Sequence, residues 1–308
     1  MKYRKIVLAG GNGYLGQVLA KYYKDLAVEV IILSRKAAVA EGNTRTVVWD
    51  GKTEGDWTKA LWGADLLVNL CGKNVNCRYN EKNKAEIIAS RTVPARLLNR
   101  VVVQMQNPPK LWINAASATI YRHAEDHAQD EQNGEMGYGF SIDVCRQWEA
   151  AFFETETPKT RKIALRIGIV LGRHESVFPR LLNLVKCGLG GPQGDGEQYI
   201  SWIHEQDVAR STAWLLENTA LEGVFNCTAP IAIKNGLFMK TLRKAYGIPF
   251  GLPSPQWLLE IGMLIIGSET ELVLKSRWVA PKRLLDSGFK FQFAEARHAI
   301  HDILSLRI

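Results

Sequence analysis

Long hydrophobic runs are missing from this 308-residue chain, and with them any sign of a membrane-spanning segment. Its most apolar late stretch, residues 257–266, contains Glu260 and falls well short of the ~20 residues that a bilayer core requires. Near the start, the basic Lys2, Arg4 and Lys5 precede an apolar run that lasts only from Ile6 to Ala9, too short for the core of a secretion signal. The five cysteines, Cys71, Cys77, Cys145, Cys187 and Cys227, are irregularly spaced and include no C-x-x-C pair. That pattern speaks against a disulfide framework or a zinc site and points to reduced thiols in the cytoplasm. Positive charge is in excess, 39 Lys and Arg against 31 Asp and Glu, yet no block of five or six basic residues occurs. We therefore expect a solvated surface with a few phosphate contacts, and no nucleic-acid partner. Linkers rich in Ser, Gly or Pro are absent too, as are internal repeats.

What remains is an ordinary globular composition, 46% hydrophobic and 23% charged, in a chain long enough to bury a large core. Across the first two-thirds, short apolar runs alternate with helical patterns. This is the signature of a parallel sheet wound with helices, an α/β fold of the Rossmann type. Runs at 5–9, 29–33, 46–49, 66–70, 111–115 and 162–167 predict strands; segments 15–26, 81–106 and 142–154 predict helices. Pro94 is expected to kink or divide the second helix. From about residue 177 the texture changes. Gly188, Gly190, Gly191, Gly194 and Gly196 precede helical patterns at 207–217, 237–245, 256–266 and 293–306. We read residues 1–176 as the sheet domain, its sheet completed by a later segment at about 204–228, and residues 177–308 as a smaller, mainly helical lobe. A substrate pocket is expected between the two.

Gly10-Gly11-Asn12-Gly13-Tyr14-Leu15-Gly16 follows the first apolar run and opens an amphipathic helix, which spaces Gly10, Gly13 and Gly16 as G-x-x-G-x-x-G. Glycines there allow a tight turn, let the backbone approach a pyrophosphate, and let the helix pack close to the sheet. Placed after an N-terminal strand and inside a βαβ unit, the motif reads as a dinucleotide site, with Gly10, Asn12, Gly13, Tyr14, Leu15 and Gly16 as its contacts. The second strand ends in Ser34-Arg35-Lys36 and not in an acid. An acid would accept the ribose 2′-hydroxyl of NAD, whereas arginine suits a 2′-phosphate, so the expected cofactor is NADP(H). Asn69-Leu70-Cys71-Gly72 closes the fourth strand at the carboxyl edge where the cofactor must pass; Cys71 reads as a wall residue, not a nucleophile.

These motifs resemble the extended short-chain dehydrogenase/reductases, and among them the atypical branch called epimerase family proteins, which carries a C-terminal module of unknown function. The resemblance spans nearly the whole chain. It rests on Arg166-Ile167-Gly168-Ile169-Val170-Leu171-Gly172, on Gly188-Leu189-Gly190-Gly191-Pro192, on Ser201-Trp202-Ile203-His204, and on the closing Val279-Ala280-Pro281-Lys282-Arg283-Leu284-Leu285-Asp286-Ser287-Gly288-Phe289. It implies that Ser34 and Arg35 meet the adenosine phosphate and that Asp50 stands where relatives hold the adenine. Leu70, Cys71 and Gly72 would line the cofactor, with Glu86, Arg91 and Val170 adding contacts. It also implies oxidoreductase or epimerase chemistry on a small molecule. Ser117, in Ser117-Ala118-Thr119-Ile120-Tyr121, would polarise a carbonyl or hydroxyl, and Thr119 or Tyr121 would handle the proton.

Two departures qualify that chemistry. No tyrosine in the chain has a lysine four positions later, so the pair in which the lysine lowers the tyrosine pKa is lacking. Gly194-Asp195-Gly196-Glu197-Gln198 is followed by Tyr199-Ile200-Ser201-Trp202, without the arginine that anchors the diphosphate of nucleotide sugars. The alternative is a non-catalytic NADP(H)-binding regulator, like the relatives described as cell-division inhibitors. Such folds often form homodimers.

His123 and His127 are four apart but lie in a polar stretch that reads as a loop, so no metal site is expected. His298 and His301 read as surface residues. Asp207 is expected to brace the start of a helix. His204, Tyr121, Tyr138 and Trp202 are candidate pocket walls.

Overall fold

The computed structural model describes residues 1–174, 176–255 and 274–305. All six predicted strands are present: β1 (Tyr3–Ala9), β2 (Ala27–Ser34), β3 (Thr44–Val48), β4 (Leu66–Asn69), β5 (Leu111–Ser117) and β6 (Arg161–Ile167). A later strand, β10 (Gly223–Cys227), completes the sheet in the order β10-β6-β5-β4-β1-β2-β3, and every pairing is parallel. This is the doubly wound Rossmann arrangement with one strand added at the β6 edge.

Parallel strands covered on both faces need apolar residues at successive positions, which explains why the runs show little alternation. In β1, Ile6 and Leu8 enter one core while Val7 and Ala9 enter the other, and all four are fully buried. Val30 and Ile32 of β2 split from Ile31 and Leu33 in the same way. The first core is closed by α1 (Tyr14–Tyr23) and α5 (Glu205–Glu217), and the second by α2 (Glu81–Gln104), α3 (Phe140–Phe153) and a 3-10 turn at Asp56–Leu61. Pro94 does not divide α2, which runs on for 24 residues. In the turn before the ring, Ser90 Oγ and the Arg91 guanidinium bond the Ile87 carbonyl, and Thr92 Oγ1 bonds that of Ile88.

A third core gathers α4 (Val177–Lys186), α6 (Asn235–Tyr246) and the helix Ala296–Ser305 around Phe178, Trp202, Phe238 and Ile300. Two short ribbons belong to this part of the chain. Antiparallel β8 (Tyr199–Ile200) pairs with β11 (Ile233–Lys234), and β7 (Ile169–Leu171) lies parallel to β9 (Trp202–His204). The chain crosses between the cores more than once. Val208, Ala209 and Leu215 of α5 pack in the first core, and so do Leu284 and Phe289. The predicted helix at 256–266 lies outside the described residues. Among the described residues, no helix is long and apolar enough to cross a membrane.

Asp207, fully buried in the first turn of α5, is the joint between these parts. It accepts from Arg210 Nη1 at 2.6 Å, from the Gln292 amide at 2.9 Å and from the Phe293 amide at 2.8 Å. Removing the carboxylate strands two backbone donors and a guanidinium. We expect Asp207→Ala to cost about 3 kcal/mol in urea unfolding. A loss below ~1 kcal/mol would show that packing alone holds the joint.

Candidate functional site

The glycines between β1 and α1 serve different ends. Gly10 has a φ of +73°, and a Cβ on it would lie 2.9 Å from Cys71 Sγ, so the turn can pass β4 only as glycine. A Cβ on Gly16 would lie 2.1 Å from the Gly11 carbonyl oxygen; only glycine lets α1 rest on that backbone. Gly13 is unlike both. Its φ of −75° is open to any residue, and a Cβ on it would meet nothing within 4 Å. The protein's own packing therefore does not require glycine at the N-cap of α1. The first turn of that helix also carries no acid and no side-chain cap, which leaves its amides available to an anion.

At the end of β2, buried Ser34 accepts from Asn12 Nδ2 at 2.5 Å and from the Lys36 amide at 3.2 Å, which ties the glycine turn to the strand end. Arg35 is exposed and forms no ion pair among the described residues. With Arg45, Lys52 and Lys59 it lines an open cleft of about 920 Å³ along β3. Asp50 borders the same cleft. Its carboxylate is bound by the Thr53 and Lys52 amides and the Thr53 hydroxyl, which hold its pKa down at about 2. Asp50 therefore shapes the loop after β3.

Leu70, Cys71 and Gly72 continue β4. Asn69 bonds Asn114 at 2.7 Å and accepts from the Cys71 amide, fixing the strand end beside β5. Burial pushes the Cys71 thiol up to about 12, so it stays protonated and forms a wall. Gly72 lies against the Arg91 guanidinium. Glu86 is exposed and paired with Lys73 at 2.6 Å. Val170, in β7, packs on the first core opposite Ile203.

Ser117 ends β5 and accepts from the Thr119 amide at 3.2 Å; both side chains are half-buried. Tyr121 is 1% exposed, and its hydroxyl is fully engaged. It donates to Asn226 Oδ1 at 3.0 Å and accepts from Arg166 Nη1 at 2.8 Å, while Arg166 grips Glu149 with two bonds of 2.8 Å. Burial raises the Tyr121 pKa, outweighing the opposite pull of Arg166 and Asn226. The structure thus brings Ser117 and Thr119 to the carboxyl edge and seals Tyr121 beneath it.

The other candidates lie elsewhere. Tyr138 is 85% exposed, and Trp202 is a core residue that donates to the Ile231 carbonyl. His204 stacks on Phe293 at 3.9 Å with Asp302 3.4 Å away, inside the joint, where burial lowers its pKa. His123 and His127 occupy a loop, and among the described residues no three His, Cys, Asp or Glu side chains converge as metal ligands. One contact was not legible in the motifs. The Tyr14 hydroxyl bonds the Glu205 carboxylate across Gly172, where a Cβ would collide with both. Burial and that carboxylate raise the Tyr14 pKa.

A parallel sheet in Rossmann order, with a glycine turn leading into α1 and a hydroxyl at the end of β5, defines a dinucleotide-binding protein of the extended reductase class. The chain belongs to the NAD dependent epimerase/dehydratase family, which its residues 6–228 match, and residues 254–303 match a domain of unknown function, DUF1731. It is 29% identical to the epimerase family protein SDR39U1 of Bos taurus, over 98% of this chain and 100% of that one. It is likewise 29% identical to the epimerase family protein YfhF of Bacillus subtilis (strain 168), over 98% of each. A crystal structure of human SDR39U1 (isoform 2) with NADPH superposes with a TM-score of 0.86 at 28% identity, covering 98% of this chain and 99% of that one.

The glycine geometry separates binding from folding. Gly13→Ala is expected to leave the unfolding midpoint unchanged and weaken dinucleotide binding about tenfold or more, read by fluorescence titration. Gly16→Ala is expected to lower the midpoint itself. Equal binding by Gly13→Ala would show that the open space at Gly13 is not the pyrophosphate site.

Proposed function

We propose that this chain is a cytoplasmic NADP(H)-dependent oxidoreductase or epimerase-like enzyme acting on a small molecule. Arg35 carries the proposal. It directly follows β2, where an NAD binder presents an acid, and it has no ion pair among the described residues. Arg35 and Ser34 would take the 2′-phosphate, and the α1 amides at Gly13 the pyrophosphate. The NADPH in the human SDR39U1 structure supports the same choice.

When bound, the cofactor supplies or accepts a hydride at its nicotinamide. Ser117 would hydrogen-bond the carbonyl or hydroxyl oxygen of the substrate. With Tyr121 sealed between Arg166 and Asn226, Thr119 and water remain as carriers for the proton. The same sealed hydroxyl, together with the missing tyrosine–lysine pair, supports a second reading, a non-catalytic NADP(H)-binding regulator.

Arg35→Ala is expected to weaken NADPH binding by about ten- to a hundredfold and to leave NADH nearly unchanged. Equal losses for both nucleotides would refute the assignment. Screening carbonyl compounds by NADPH oxidation separates the two readings. Turnover by the wild type that Ser117→Ala abolishes, with NADPH binding kept, supports the enzyme; turnover that survives Ser117→Ala removes Ser117 from the mechanism.

A further inference from the structure

One face of α3 looks onto the turn that follows Ser117. Cys145 packs there with Ala118, Ile120, Tyr121 and Val279. Ser141, one helical turn earlier, is buried on the same face. These residues stand at i, i+4 on the helix that follows Ser117, and neither is charged. Burial pushes the Cys145 thiol up to about 12. On this face α3 supplies no cation.

A cation arrives instead from α2. Arg91 crosses to place its guanidinium 5.1 Å over the ring of Trp148, three residues beyond Cys145. The same group lies along Gly72, where a Cβ would stand 3.1 Å from Cζ, so the missing side chain opens its way to the β4 edge. Nη1 donates to the Ile87 carbonyl at 3.0 Å. Among the described residues Arg91 has no carboxylate partner, in contrast to Arg166, which holds Glu149. Arg91 is half-buried without a carboxylate partner, and charged groups held partly out of water in this way concentrate at functional sites.

The position identifies the ligand half. Arg35 fixes the adenosine end on the β2 side, and Gly13 leaves room for the pyrophosphate. The nicotinamide end must then run toward the carboxyl edges of β4 and β5, where Gly72 and Ser117 stand. Resemblance alone implied that Arg91 touches the cofactor; the geometry says which end it serves and with what consequence. We infer that Arg91 is a fixed positive charge of the reaction site, standing in from α2 for the cation that this face of α3 lacks, and that it favours the reduced nicotinamide over the oxidised one. The oxidised ring is cationic and the reduced ring is not, so a nearby guanidinium repels only the first. The inference rests on the NADP(H) reading.

The test needs no substrate. Dissociation constants of NADPH, NADP⁺ and adenosine 2′,5′-bisphosphate are measured on wild type, Arg91→Met and Arg91→Lys. The ratio of the NADP⁺ constant to the NADPH constant is expected to fall about five- to tenfold in Arg91→Met and to be largely kept in Arg91→Lys. The bisphosphate, which lacks the nicotinamide, is expected to bind all three alike. A purely structural role would lower all affinities together and leave the ratio unmoved. An unchanged ratio in Arg91→Met with intact bisphosphate binding overturns the inference and spares the cofactor reading. Wild type that binds neither NADPH nor the bisphosphate overturns both. Should Arg91→Met lose the bisphosphate, Arg91→Gln, which keeps a donor for Ile87, decides by the same ratio.

Discussion

Helix α1 can close down on the turn that leads from β1 only because Gly16 lets its backbone touch that of Gly11. That approach sets the height of the helix N-terminus above the carboxyl edge, and the rest of the site is arranged around it. It brings Gly10 against Cys71, so the end of β4 becomes one wall of the groove. It also leaves the space at Gly13 open while the turn is braced by the Asn12–Ser34 bond. A bulkier residue at position 16 would lift the helix and spoil the wall, the turn and the anion site at once. Close packing makes these features one unit, because a tight backbone contact has no side chain that can yield.

From that unit, polar contacts lead outward to the rest of the chain. Tyr14 bonds Glu205 at the head of α5. In the same turn, two residues on, Asp207 holds the backbone of Gln292 and Phe293, and Phe293 underlies His204. The glycine turn, α5 and the C-terminal segment are thus joined by two carboxylates, half-buried Glu205 and buried Asp207, that accept from groups far away in sequence. Such carboxylates contribute through the donors they satisfy, and their loss is costly because those donors stay buried.

Much of this was legible in the residues. Six strands, the glycine turn and the acid-free end of β2 follow from local pattern, because each depends on neighbours within a few positions. The reading of Asp207 as a brace was correct in kind, yet its partners, 85 and 86 residues away, leave no mark in local spacing. Of the two outcomes expected at Pro94, division of α2 does not occur, because the loss of one donor leaves the rest of the 24-residue ladder in place. Glu86 and Arg91 lie five apart on one helix and look alike as sequence. One is a solvated partner of Lys73 and the other a half-buried cation, a difference fixed by Trp148 and Gly72 from separate elements. Tyr121 stood in a promising motif, and only the tertiary structure shows its hydroxyl spent on Arg166 and Asn226.

The site therefore divides hydride chemistry from proton chemistry. Everything that would hold a dinucleotide is built from backbone and charge: the α1 amides, Arg35, the wall at Cys71. The proton is the harder problem. A carbonyl that accepts a hydride becomes an alkoxide unless an acid meets it, and a serine hydroxyl is a far weaker acid than a phenol beside a lysine. Ser117 can orient and hydrogen-bond such an oxygen, and a fixed cation can stabilise its charge, without either giving up a proton. A chain that keeps the first set of groups and buries the phenol of the second is specified for binding more firmly than for turnover. Turnover at such a site would require a substrate whose oxyanion is already stabilised, or a proton brought to Ser117 by Thr119 or water.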